Sequence, residues 1–136
     1  MGRLHVAVGV IIDDRDRVLI SRRAEDSHQG GLWEFPGGKV ESGESLGDAL
    51  ARELREELDI QIAGSEPLLE VRHDYSDKAV LLDVHLVRSF SGQPRALENQ
   101  PLAWVTSDGL SDYRFPAANA PIVQAVQALL SGAVTG

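Results

Sequence analysis

Apolar positions along the chain fall into short blocks of two different periods. Residues 4–12 and 17–22 are apolar and rich in β-branched side chains, and the charged run Asp13-Asp14-Arg15-Asp16 separates them. They predict a hairpin. Residues 32–35 predict a short strand that stops at Pro36-Gly37-Gly38, a strong breaker. Residues 68–75 and 79–88 predict a second antiparallel pair around Ser76-Asp77-Lys78, and residues 102–106 a last strand. Two stretches switch to the helical period. The first is capped by Ser45 and runs to about Leu58, with Leu50, Leu54 and Leu58 as its buried stripe. Asp48, three residues after the cap, gives a weaker form of the capping box. The second covers residues 116–130, with Ile122, Val123, Val126, Leu129 and Leu130 apolar. Pro121 near its start predicts an irregular first turn, or a helix that begins at Asn119 or Ala120. Strands and helices alternate without a regular βαβ order, which predicts a mixed sheet covered by helices.

The length of 136 residues suits one domain, taken as residues 1–131 with 132–136 as a flexible tail. No residue is a cysteine, which removes disulfides, thiolate metal sites and a cysteine nucleophile, and fits a cytoplasmic protein. The apolar run at residues 6–12 is too short to span a bilayer and leads into charges. No membrane partner is expected. The formal net charge is -8, which argues against a nucleic acid polymer as partner, because backbone binding needs clustered Lys and Arg. A small nucleotide is compatible with that charge, since metal ions bridge polyphosphates to acidic pockets. The expected state is a monomer.

The strongest chemical signal is Arg52-Glu53-Leu54-Arg55-Glu56-Glu57 on the first helix. At ~100° per residue, Glu56 lies about 60° to one side of Glu53 and Glu57 about 40° to the other. Three carboxylates thus share one narrow face, and like charges at this spacing weaken a helix. A hard divalent cation, Mg2+ with Mn2+ as a substitute, would turn that repulsion into coordination. Arg52 is expected to orient Glu56 from four residues away.

The spacing of Gly38, Glu44, Arg52, Glu53, Leu54, Glu56, Glu57 and Ile60 resembles the Nudix box. Asp59 departs from it, since the family has Gly there; Asp tolerates the left-handed backbone common just past a helix end. Four further segments resemble the MutT branch of the Nudix hydrolases: residues 22–28, the run Glu34-Phe35-Pro36-Gly37-Gly38-Lys39, Glu98 with Asn-Gln-Pro after it, and residues 115–121. The resemblance implies an α/β/α sandwich with a mixed sheet and the Nudix loop-helix-loop. It implies Mg2+-dependent hydrolysis of oxidised purine nucleoside triphosphates, 8-oxo-dGTP to 8-oxo-dGMP and pyrophosphate, by water attack at the β-phosphorus. It implies that Glu53, Glu56 and Glu57, the Gly37 carbonyl and Glu98 hold the metal, with Glu98 otherwise the base for the attacking water. Glu53 is the first choice of base. It also implies nucleotide contacts for Arg23 and His28 and places residues 34–39 at the substrate.

Lys39 and Lys78 are candidate phosphate contacts. Asn119 is the candidate specificity residue: one amide can accept from the N7 hydrogen of 8-oxoguanine and donate to its O6, whereas guanine has a bare acceptor at N7. Its position equally permits a helix-capping role. Phe35, Pro36, Leu4, Val6 and Val80 read either as apolar walls for a base or as core. Two other functions stay open: hydrolysis of another nucleoside triphosphate or nucleotide sugar, and a non-catalytic nucleotide-binding module.

Overall fold

The computed structural model describes residues 4–26, 30–76 and 78–132. His28, Asp77 and residues 133–136 of the expected tail lie outside the described residues. The chain order is β1 (Leu4–Ile11), β2 (Val18–Arg22), β3 (Trp33–Glu34), β4 (Gly37–Lys39), α1 (Leu46–Leu58), β5 (Gln61–Ile62), β6 (Glu66–Asp74), β7 (Ala79–Val87), β8 (Phe90–Ser91), β9 (Leu102–Val105) and α2 (Ala120–Gly132). Among the described residues no helix is long and apolar enough to cross a membrane.

β1 is the hub. It runs parallel to β7 and antiparallel to β4, in a four-stranded mixed sheet of order β4-β1-β7-β6. The predicted β1–β2 hairpin is not formed. Among the described residues, an isolated bridge from Ile12 to Val18 and an Asp13 N–H to Arg17 carbonyl bond at 3.0 Å join the two around the charged turn. β7 and β4 already occupy both edges of β1, so β2 pairs instead with β3 and β9 in a second, antiparallel sheet. The glycine pair is also more than a breaker. The chain leaves β3 at Phe35-Pro36 and re-enters as β4, with Val8, Ala7 and Val6 facing Gly37, Gly38 and Lys39.

Alternation along the strands builds two cores. Val8, Val10, Val18 and Ile20 pack with Ile122 and Val126 of α2. Ala7, Ile11 and Leu19 pack with Leu50, Leu54 and Leu58 of α1, all three fully buried. One helix covers each face of the sheets, as expected for helical layers around a mixed sheet.

Both helix starts follow the sequence. The Ser45 hydroxyl accepts from the Asp48 N–H at 3.1 Å, satisfying an orphan amide of the first turn. α2 begins at Ala120 after a tight 3-10 turn at Ala117–Asn119, so Pro121 sits in the first turn, where its missing N–H costs no helical bond. At the other end of α1, Asp59 adopts the left-handed backbone at φ 59°, and its N–H reaches the Arg55 carbonyl at 3.0 Å. The Asp59 carboxylate takes a bond from Arg95 at 2.8 Å. The helix therefore ends where a glycine would end it.

Candidate active site

The carboxylates of α1 share a face but not an environment. Glu53 is nearly covered, with 17% of its side chain exposed, whereas Glu56 is 55% exposed. Glu57 is half-buried and shares a side-chain hydrogen bond with Glu53. Arg52 organises the group, though not mainly through Glu56. Its Nε and Nη2 donate to both Glu44 oxygens at 2.7 and 2.9 Å, Nη2 to the Lys39 carbonyl at 3.0 Å, and Nη1 to Glu53 at 2.9 Å. The contact with Glu56, at 3.4 Å, is the longest of the set and close to the limit of a useful bond. The expected Arg52–Glu56 pairing is thus a minor one: Glu44 folds back over the helix start and takes the guanidinium fork in bidentate fashion. Glu44 also accepts from the Glu41 N–H. The Arg52 and Glu41 bonds pull its carboxyl down to about 2.

The two glycines of β4 have separate reasons. A Cβ on Gly37 would sit 2.0 Å from the Ala7 carbonyl oxygen, so only glycine lets β4 pair with β1 there. A Cβ on Gly38 would lie 2.3–2.5 Å from all three carboxylate atoms of Glu53. Gly38 is the space into which the Glu53 carboxylate fits.

A second carboxylate group surrounds the first. Glu34 is paired with Arg23 at 2.6 Å. Burial raises its pKa against the pull of Arg23, and the charge of Glu98 adds to the rise. Glu57 is pushed up to about 9, first by burial, then by the shared bond with Glu53 and by the charges of Glu53, Glu98 and Glu34. Glu98, far along the chain, thus contributes its charge to both Glu57 and Glu34. Its own loop is exposed. Among the described residues no three acidic or histidine side chains converge closely enough to hold a metal ion.

Beside this face opens a cleft of about 300 Å³. Leu4, Val6 and Val80, which the sequence allowed as walls or as core, line it with Arg23, Glu34, Phe35, Gly37, Gly38, Lys39 and Lys78. Pro36 does not; it is buried, and its carbonyl accepts from the Gly9 N–H at 2.8 Å. Phe35 stacks on Phe115 at 5.3 Å, so it serves both core and wall. The sequence reading missed Val8, Leu82, Tyr75 and Pro116. Val8 and Leu82 were within reach of it, since they continue the two-residue period of Val6 and Val80.

Asn119 closes the cleft. It is 9% exposed, and among the described residues its side-chain amide makes no hydrogen bond. Only its backbone N–H is used, to the Pro116 carbonyl at 2.9 Å. The capping alternative thus has no bond behind it. A buried amide without partners is costly and rare.

An acidic helix face beside a half-apolar cleft is the geometry of the site, and comparison with known proteins supplies its class. The sequence profile of the NUDIX domain matches residues 7–125. The 8-oxo-dGTP diphosphatase of Escherichia coli K12 is 36% identical over 129 residues, covering 95% of this chain and 100% of that protein. The CTP pyrophosphohydrolase of the same strain is 38% identical over 122 residues, 90% of each. A solved structure from work on MutT of Aliivibrio salmonicida and Vibrio cholerae superposes with a TM-score of 0.80 at 38% identity, covering 94% of this chain and 98% of that one. The chain belongs to the Nudix family and has its α/β fold. Nudix hydrolases use divalent metal ions, and the donors present suit one: hard carboxylate oxygens, two of which, on Glu53 and Glu57, already share a hydrogen bond.

Proposed function

We propose that this protein hydrolyses 8-oxo-dGTP to 8-oxo-dGMP and pyrophosphate in a Mg2+-dependent reaction, removing a mutagenic precursor from the nucleotide pool. The observation that carries the reading is Asn119, a buried amide with unused hydrogen-bonding capacity in the wall of a cleft that ends at the acidic face.

Glu53, Glu56, Glu57, Glu98 and the Gly37 carbonyl would hold the cation, and Mn2+ can replace Mg2+ there. A cation so held polarises the phosphates and acidifies the attacking water. Arg52 keeps Glu53 in place from beneath. Glu53 takes a proton from the water as its oxygen bonds to the β-phosphorus. The bond from that phosphorus to the oxygen bridging it to the α-phosphate breaks, leaving nucleoside monophosphate and pyrophosphate. Lys39, Lys78 and Arg23 line the cleft and meet the negative charge of the nucleotide. The base lies against Phe35, Leu4, Val6 and Val80, and Asn119 reads its edge. The amide oxygen accepts from N7–H and the amide nitrogen donates to O6. With guanine, two acceptors would face each other, and a lost buried pairing costs about 1–3 kcal/mol.

A second reading, a pyrophosphohydrolase for a different nucleoside triphosphate, is favoured by the 38% identity to a CTP pyrophosphohydrolase. One experiment separates the two. Monophosphate and pyrophosphate are measured from 8-oxo-dGTP, dGTP and CTP, with Mg2+ and with chelator. Metal-dependent preference for 8-oxo-dGTP supports the proposal; preference for CTP supports the alternative. Binding without turnover of any nucleotide would leave only a binding module.

A further inference from the structure

Glu98 sits in the segment 92–101, which crosses the C-terminal end of α1 between β8 and β9. Residues 95–99 are all exposed, so packing does not place this loop. Hydrogen bonds to the last helical carbonyls do. Arg95 N–H donates to the Leu58 carbonyl at 2.9 Å, and Leu97 N–H to the Glu57 carbonyl at 3.1 Å. Asn99, in a left-handed conformation at φ 59°, turns the chain back, with its N–H on the Ala96 carbonyl at 3.1 Å. Past the loop, the Pro101 carbonyl accepts from Arg22 N–H in β2. Between these fixed points stands Gln100, half-buried where its neighbours are exposed. Its Oε1 accepts from the Glu98 N–H at 2.9 Å, and its Nε2 donates to the Glu57 carbonyl at 3.1 Å. Only one orientation of an amide satisfies both partners, because an N–H needs the oxygen and a carbonyl needs the nitrogen.

We infer that Gln100 is a positioning residue: its single amide clamps the Glu98 backbone to the Glu57 carbonyl and so delivers the Glu98 side chain to the helix carboxylates. The inference rests on the reading of Glu98 as part of the reaction machinery. Gln100 itself lies outside the cleft lining and need not touch substrate. Loss of the clamp leaves Glu98 chemically intact but poorly aimed, and misplacement by about 1 Å can cost on the order of 100-fold in rate.

The test is a double-mutant cycle on the full chain with 8-oxo-dGTP at saturating Mg2+. Gln100→Ala, Glu98→Gln and the double variant are compared for kcat and KM, with thermal melts as a control of folding. Gln100→Ala is expected to lower kcat about 10- to 100-fold with KM changed less than about threefold. If Gln100 acts through Glu98, the double variant is no slower than Glu98→Gln alone. Where Gln100→Ala does not fold, the isosteric Gln100→Glu, which keeps the acceptor and loses the donor, is read in the same way. A slow Glu98→Gln with a normal Gln100 variant would overturn the inference alone. Multiplying losses in the double variant would do the same. A normal Glu98→Gln would remove the role of Glu98, and the inference with it.

Discussion

The acidic face and the cleft beside it are built on opposite rules. On the acidic face the anchoring polar groups are already engaged. Arg52 alone binds Glu44, Glu53 and the Lys39 carbonyl, and Glu57 shares a bond with Glu53. In the cleft the buried polar group is left unengaged, since Asn119 has no side-chain partner among the described residues. The first region is one helix and its flanking loops. The second gathers β1, β4, β7, the β6–β7 turn and the start of α2. On the proposed function, the contrast assigns reactivity and selection to separable parts: one fixed by internal bonds, the other with an amide left for a ligand.

The sharpest break in that contrast is Glu53→Gln. Turnover should fall by about 10²- to 10⁴-fold, the range expected for loss of a general base. The metal-free melting temperature should hold or rise, because the substitution removes a charge that presses on Glu57. A variant with near-normal rate would take Glu53 out of the mechanism; one that fails to fold would make it structural. Arg52→Ala should cost about 10- to 100-fold in activity or metal affinity while the 8-oxo-dGTP to dGTP ratio stays level. Gly38→Ala should behave alike, since its Cβ would displace the Glu53 carboxylate. A changed ratio in either variant would show that the two regions are not separable.

The smallest effect is on stability. Glu57 stands at about 9 in the metal-free protein, above the ~4.3 of an unfolded glutamate, and Glu34 is shifted in the same direction. The folded state therefore holds extra protons across that window, and stability falls as pH rises through it. Glu44, held at about 2, acts oppositely but only in acid: its contribution is complete above the unfolded value and is lost as pH falls through the folded one. The melting temperature of chelator-treated protein should therefore drop from pH 5 to pH 9. Glu57→Gln should flatten the slope, and the gain on adding Mg2+ should grow with pH as the cation displaces the proton. A melting temperature that climbs over this range without metal would contradict the placement of Glu57.

How much of this was legible in the chain depended on how local each feature is. α1, its Ser45 cap, its buried leucines and its carboxylate face follow from residue spacing alone, because a helix converts spacing directly into position. The same spacing rule found the Arg52–Glu56 contact but missed the stronger ones. The chief partner of Arg52, Glu44, precedes the helix cap and reaches it through a loop, which periodicity cannot describe. The β1–β2 hairpin failed for a related reason. Alternation marks a strand but says nothing of which neighbours claim its edges, and β4 and β7 claim both edges of β1. Glu98 was visible only through family resemblance, since its position depends on loop bonds to the Glu57 and Leu58 carbonyls. Asp59 was the reverse case: a departure from the family pattern that backbone tolerance alone reconciled with an intact helix end.

The most direct test of separable reactivity and selection is Asn119→Ala, assayed for kcat/KM on 8-oxo-dGTP and dGTP at saturating Mg2+. The preference for the oxidised nucleotide should fall by about 5- to 150-fold, the equivalent of one buried pairing, with metal-dependent turnover of dGTP retained. Equal loss on both nucleotides would contradict the assignment of base recognition to Asn119, and with it the division between the two regions.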